Sequence, residues 1–238
     1  MIVLITPTGA RPKQIELCME FMANQDYTGE VLWIIIDDAI PVTTDCIPIN
    51  FRLGWNIVKI YPKPEWQVGQ NTQVRNLLAG LNEVKKHQSV ETVFIIEDDD
   101  YYSPQYLRVM VEKMNGFELI GQICTVYYNP VVRCWMRNGN HHHASLFQTA
   151  FRKSVIPTFE TVCMRRTNFV DSHLFRVFAG SFRTKVNLFD GRDLAIGMKG
   201  LPGRTGIGMG HRAEIRMAPD PDFVMLKTLI GDDYKYYE

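Results

Sequence analysis

The sequence predicts an α/β fold built on a mostly parallel sheet flanked by helices, with a less regular C-terminal half. Three observations predict it. The strand-like segments of the first half are continuous apolar runs, as strands buried on both faces are. Stretches with apolar residues at helical spacing separate those runs. Two of the runs stop on acidic residues, and in parallel sheets ligands gather beyond the carboxyl ends of the strands.

Ile2-Val3-Leu4-Ile5 is a short strand that stops at Thr6-Pro7-Thr8-Gly9, a turn signal. Pro12 suits the first position of a helix in which Ile15, Cys18, Met19 and Met22 share a face. Residues 31–36 form a second strand, ending in Asp37-Asp38, and Lys59-Ile60-Tyr61 a third before a proline-rich bend. Val74, Leu77, Leu78, Leu81 and Val84 line one side of the next helix. Residues 92–96 are a strand running straight into Glu97-Asp98-Asp99-Asp100. Ser103-Pro104 reads as a cap and first helical residue, with Leu107, Met110, Val111 and Met114 as the buried stripe.

Farther on, residues 119–128 read as one strand and 144–150 as another, leading into a short helix over 152–159. Thr167-Asn168 would cap a helix with Val170, Leu174, Val177 and Phe178 facing inward. Residues 197–210 hold six of the 17 glycines and read as a mobile loop. No repeat or linker interrupts the chain, so the expectation is one domain over residues 1–238.

Composition narrows the class. With 238 residues, 46% apolar and 22% charged, the chain is globular rather than disordered. No apolar run approaches the ~20 residues that span a bilayer. The five cysteines are scattered without paired spacing, against a disulfide scaffold or zinc knuckle, and no basic leader precedes the first strand. A cytoplasmic protein is expected. The 26 basic and 26 acidic residues cancel, yet residues 133–216 hold 14 Lys/Arg against 5 Asp/Glu. That surplus suggests a face that meets an anion, or halves that neutralise each other.

The strongest chemical signal is the run of carboxylates at 97–100. Adjacent carboxylates at a strand end repel one another unless a cation neutralises them, and their oxygens suit Mg2+ or Mn2+. In an extended segment Asp98 and Asp100 would share one side while Asp99 faces elsewhere.

These residues carry a resemblance. The segments ITPTGARPKQIELCMEFMANQDYTGEVLWIIIDDA, GQNTQVRNLLAGL and VFIIEDDDYYSPQYL resemble, in order, the first-half motifs of a GT-A glycosyltransferase of the inverting family 2 type. The resemblance implies a GT-A, Rossmann-like sheet, with residues 1–115 binding a nucleotide-sugar and 116–238 the acceptor. It places Pro7 and Arg11 beside the nucleotide, and either Asp38 or Asp37 on its base. Arg75 and Asn76 match the family's Arg-Asn pair, with Arg75 near the nucleotide or diphosphate. Asp98 would touch ribose or metal, with Asp99 in the same donor region, and Asp100 would be the direct metal ligand. Asp171 falls where the family keeps its catalytic base, although an aspartate in a helix's first turn is also favoured by the helix dipole. From the glycine-rich loop Lys199, Arg204 and Arg212 would close over the diphosphate, and His211 is a candidate third ligand for Mn2+ or Mg2+.

His141-His142-His143 reads as a polar turn, with acceptor contact second. Trp33 reads as core, while Trp55, Trp66 and Trp135 lie in less regular stretches where one would stack on a sugar or base. The implied activity is metal-dependent inverting transfer of a sugar, from a UDP-sugar by default, to an acceptor hydroxyl. An anionic acceptor, such as a modified DNA base, fits the basic block. The alternatives are a sugar-nucleotide nucleotidyltransferase, whose glycine-rich first loop is only thinly matched at residues 8–13, and a non-catalytic nucleotide-sugar binding module.

Overall fold

The computed structural model describes residues 1–165, 168–192, 194–204, 211 and 216–238. In the first half, strands β1 (Ile2–Thr8), β2 (Val31–Asp37), β3 (Trp55–Ile60) and β4 (Thr92–Ile95) alternate with helices α1 (Pro12–Ala23) and α2 (Gln73–Val84). A two-residue strand β5 (Tyr101–Tyr102) precedes α3 (Tyr106–Lys113). The second half comprises β6 (Leu119–Ile123), β7 (Val126–Asn129), β8 (Cys134–Arg137), β9 (Thr149–Arg152), α4 (Ile156–Arg165) and α5 (Val170–Phe182). It ends with β10 (Val186–Asp190), β11 (Ala195–Met198), β12 (Ala218–Pro219) and α6 (Val224–Ile230).

Seven strands form one sheet in the order β10-β6-β9-β4-β1-β2-β3, in which only β9 runs antiparallel to its neighbours. A second, five-stranded sheet has the order β12-β8-β7-β11-β5. This is a mixed α/β, GT-A-like architecture.

The apolar runs are continuous because both faces of the sheet are covered. Successive side chains of a strand point to opposite faces. Ile2 and Leu4 of β1, with Trp33 and Ile35 of β2, pack on Ile15, Cys18 and Met22 of α1. Val3 and Ile5, with Leu32, Ile34 and Ile36, pack on Leu77, Leu81 and Val84 of α2. Each such side chain contributes about 1.5–3 kcal/mol by leaving water. The β1–β2 register aligns Thr8 with Asp37, so both strands end at one level, where Pro12 starts α1.

Several expectations change. The single strand over 119–128 is two, because Cys124 takes φ +58° and turns the chain from the large sheet into the small one. Residues 146–148 form a 3-10 turn rather than strand, and the strand begins at Thr149. Ser103 lends α3 no side-chain cap, and the helix starts only at Tyr106. Phe169, at φ +54°, precedes α5 without any side-chain cap, while Thr167 lies outside the described residues. Val177 is 47% exposed, and Phe175 takes the inward place it was given. Strands β8, β10, β11 and β12 and helix α6 carried no periodicity strong enough to anticipate.

Candidate active site

A cleft of about 680 Å³ opens over the carboxyl ends of β1 and β4, within the usual size range for small-molecule sites. Pro7, Thr8 and Arg11 supply one wall, and Glu97, Asp98 and Asp99 the floor. Trp66, Gln73 and Asn76 flank it on the α2 side, while Asp171, His143, Lys199, Arg204 and His211 close it from the second half.

The two aspartates ending β2 divide their work. Asp37 accepts from the backbone N–H groups of Ala39 (3.1 Å), Thr43 (2.7 Å) and Thr44 (3.0 Å), and from the Thr43 hydroxyl (3.0 Å). Both of its oxygens are engaged in organising the turn after β2. Asp38 is equally buried and accepts from Arg75 Nη2 (2.9 Å), Asn76 Nδ2 (2.8 Å), the Thr72 hydroxyl and Arg204 Nη1 (2.9 Å). Three of the donors converge on Oδ2, while Oδ1 accepts from Arg204 alone. Gly9 permits the approach of the β1 turn, since a Cβ there would lie 2.3 Å from Asp38 Oδ1 at a φ of +146°.

Arg75 therefore acts through Asp38 and the Pro64 carbonyl rather than in the cleft wall. Arg204 reaches back from the loop after β11 to Asp38 and to the Thr72 hydroxyl (2.6 Å), with its guanidinium 4.9 Å from the Trp66 ring centroid. Burial lowers its pKa, offset in part by Asp38. Of the three tryptophans in irregular stretches, Trp66 is the one that lines the cleft; Trp33 is core, as expected, and Trp55 joins it.

The acidic run is a turn, not an extended strand, so the side alternation expected of it does not hold. Asp98 accepts from the Thr8 hydroxyl and from Arg11 Nη1 (2.9 Å), which also lies 3.2 Å from Asp99. Asp100 points away from the cleft, taking the Met198 N–H (2.9 Å) and the Lys199 ammonium (2.7 Å). Lys199 was expected as a loop cation; it is instead buried at the end of β11, over the rings of Phe147 and Tyr127. Burial pushes the Glu97 carboxyl up to about 7, with Asp99 and Asp171 adding to it and Lys199 and Arg11 opposing. Burial also raises Asp98 and Asp100, whereas Lys199 and Arg11 outweigh burial at Asp99 and hold it below the usual range.

These facts test the expected cation site. Arg11 engages Asp98 Oδ1 and Lys199 engages Asp100 Oδ1, while Asp100 Oδ2 is buried without a hydrogen-bond partner. Among the described residues no three of His, Cys, Asp and Glu converge as a ready ligand set. Asp99 fits better: its carboxylate is anionic and faces the cleft. His211 lines the same cleft, and its Nδ1 is buried without a hydrogen-bond partner. Burial, with Lys199 next, lowers its pKa to about 4, leaving a neutral imidazole able to ligate. One carboxylate and one imidazole suffice for Mn2+ or Mg2+ only when substrate phosphates complete the shell. Arg212 lies outside the described residues, as do residues 205–210 of the glycine-rich loop.

Asp171 sits in the first turn of α5, facing the cleft. Burial raises its pKa, while the Ser172 N–H (2.8 Å) and His143 act against the rise. A carboxylate of raised basicity in a cleft wall is suited to accept a proton. Thr8, Thr72 and Gln73 were not anticipated as site residues, whereas His143 lies in the histidine turn for which acceptor contact was the second reading.

No family model and no curated protein matches this chain. Solved structures of S. aureus TarS do. One TarS structure superposes with TM-score 0.60 at 13% identity, over 83% of this chain and 36% of that one. TarS 1–349 in complex with UDP gives 0.58 at 12% identity, over 83% and 60%. TarS 1–349 in complex with UDP-GlcNAc gives 0.53 at 13%, over 90% and 61%. This chain thus spans between 36% and 61% of the length of those TarS chains. At such identity the likeness is one of fold.

Proposed function

We propose that the cleft binds a UDP-sugar and transfers the sugar to an acceptor hydroxyl with inversion. The observation that carries this reading is the placement of Asp171, a carboxylate of raised pKa, in the same cleft as the cationic and acidic groups at the end of β4. The TarS complexes with UDP and UDP-GlcNAc support the donor class, because the two folds superpose over most of this chain.

In this reading the acceptor oxygen attacks the anomeric carbon as the bond from that carbon to the diphosphate oxygen breaks. The departing diphosphate keeps the electron pair, and Asp171 takes the hydroxyl proton. Arg11 and Lys199 place positive charge where the leaving group develops negative charge. Asp99 and His211 are the residues that would hold Mn2+ or Mg2+, which when bound neutralises the diphosphate. Trp66 offers a ring face for the base or sugar.

A thermal-shift panel of UDP, ADP and GDP, with and without Mn2+, tests the donor. UDP at a hundredfold excess over its Kd adds about 2.7 kcal/mol, or roughly 5–10 °C in a chain of this length. The shift should grow with Mn2+, and Asp99→Asn should remove the growth. If no nucleotide moves the melting temperature, the reading is wrong.

A further inference from the structure

α5 starts in the cleft wall, with Phe169 and Asp171, and runs away from it for 13 residues. At 3.6 residues per turn Phe169, His173, Arg176, Gly180 and Arg183 fall on one stripe about 20 Å long. Phe169 is 62% exposed, Val177 beside the stripe 47%, and Phe182 at its far end 54%. Arg176, Arg183 and Lys185 are exposed, as is Arg165 at the end of α4, and among the described residues none of the four forms an ion pair. Residues 165–185 contain five Lys/Arg and a single acidic residue, Asp171, which belongs to the cleft. Across the mouth His143 lines the cleft, with Arg137, His141 and His142 exposed beside it.

A band of cations without an ion-pair partner among the described residues, leading to a proton acceptor, calls for an anionic partner of matching length. The apolar face of α5 (Val170, Leu174, Phe175, Phe178) is buried in the core, so the helix has no broad apolar face to lay into a lipid surface. What remains outside is the Phe169 ring and the exposed part of Phe182, which packs on Phe178, among arginines, the combination that holds unpaired bases by stacking and their backbone by charge. The geometry points to a single-stranded nucleic acid as the acceptor, with its backbone along α5 and the reacting nucleotide entering at Phe169. This rests on the glycosyl-transfer reading above.

Fluorescence anisotropy with a labelled single-stranded oligonucleotide of about 12 nucleotides tests it on the whole protein. Neutralising three or four phosphates gives a log–log salt slope of roughly −2 to −3, so affinity should fall about 20- to 50-fold between 50 and 200 mM salt. The double variant Arg176→Glu, Arg183→Glu should weaken binding at least tenfold while keeping its melting temperature and its UDP-induced shift. Three results overturn the inference. They are no binding at 50 mM salt, duplex bound as tightly as single strand, or capture by phosphatidylglycerol vesicles in place of the oligonucleotide. Because the UDP shift is read separately, its survival with no oligonucleotide bound condemns only this inference, and its absence condemns the donor reading.

Discussion

Neighbouring residues of one type do different jobs in this site, and geometry decides which. Asp37 satisfies four donors from its own loop, whereas Asp38 gathers donors from α2 and from the loop after β11. Asp99 faces the cleft and Asp100 turns to Lys199. The same logic isolates Asp171, whose burial makes it a stronger base than an ordinary aspartate. Asp171→Asn should lower kcat by roughly 10²–10⁴-fold, measured as sugar transfer, with the UDP thermal shift intact. Loss of that shift would show Asp171 to be part of donor binding instead. The pH dependence has a definite sign. A proton acceptor works only when ionised, so kcat/KM should fall on acidification through a midpoint above 3.8, the ordinary value for this side chain. An acid limb at or below that value would contradict the assignment.

At the scale of elements, the site depends on how closely helices approach the sheet. α2 carries Gln73 and Asn76 into the site, and Gly80 sets its distance from β1 and β2. A Cβ on Gly80 would lie 2.7 Å from Ile5 Cγ2 and 3.0 Å from Ile36 Cδ1. Gly80→Val should therefore cost about 1–3 kcal/mol, seen as a fall of several degrees in melting temperature, and should weaken UDP binding as well. An unchanged melting temperature would mean that the helix shifts freely. The same scale explains what a reader of the sequence can and cannot see. α1 and α2 were legible because burial of one face writes a helical period into the chain, and β1, β2 and β4 because burial of both faces leaves an unbroken apolar run bounded by turn residues. The segment 119–128 was not, since one positive φ at Cys124 splits an unbroken apolar run between two sheets. The turn at 97–100 was likewise invisible: a row of carboxylates has no period to betray its backbone.

The whole molecule is two sheets meeting around one cleft, and its stability should be graded from the middle of the large sheet outward. β1 and β2 are almost wholly buried, while β10 at one edge and most of β3 at the other are partly exposed. Amide hydrogen exchange should be slowest in β1 and β2 and faster in β10 and β3, as local opening requires less surface to be exposed at edges. Equal protection across the sheet would indicate that it opens only as a unit. Function shows the same division. Sequence alone determined the parallel-sheet class and the strand ends where chemistry gathers, because apolar runs and strand-end acids are local properties; Arg11, Asp171 and His211, expected from the family resemblance, line the cleft. Which carboxylate faces the cleft, which is bound to an internal cation, and which tryptophan lines the cleft were decided only by the tertiary structure. Those choices depend on partners such as Lys199 and Arg204, more than 90 residues away in the chain, and no local pattern records a contact made across that distance.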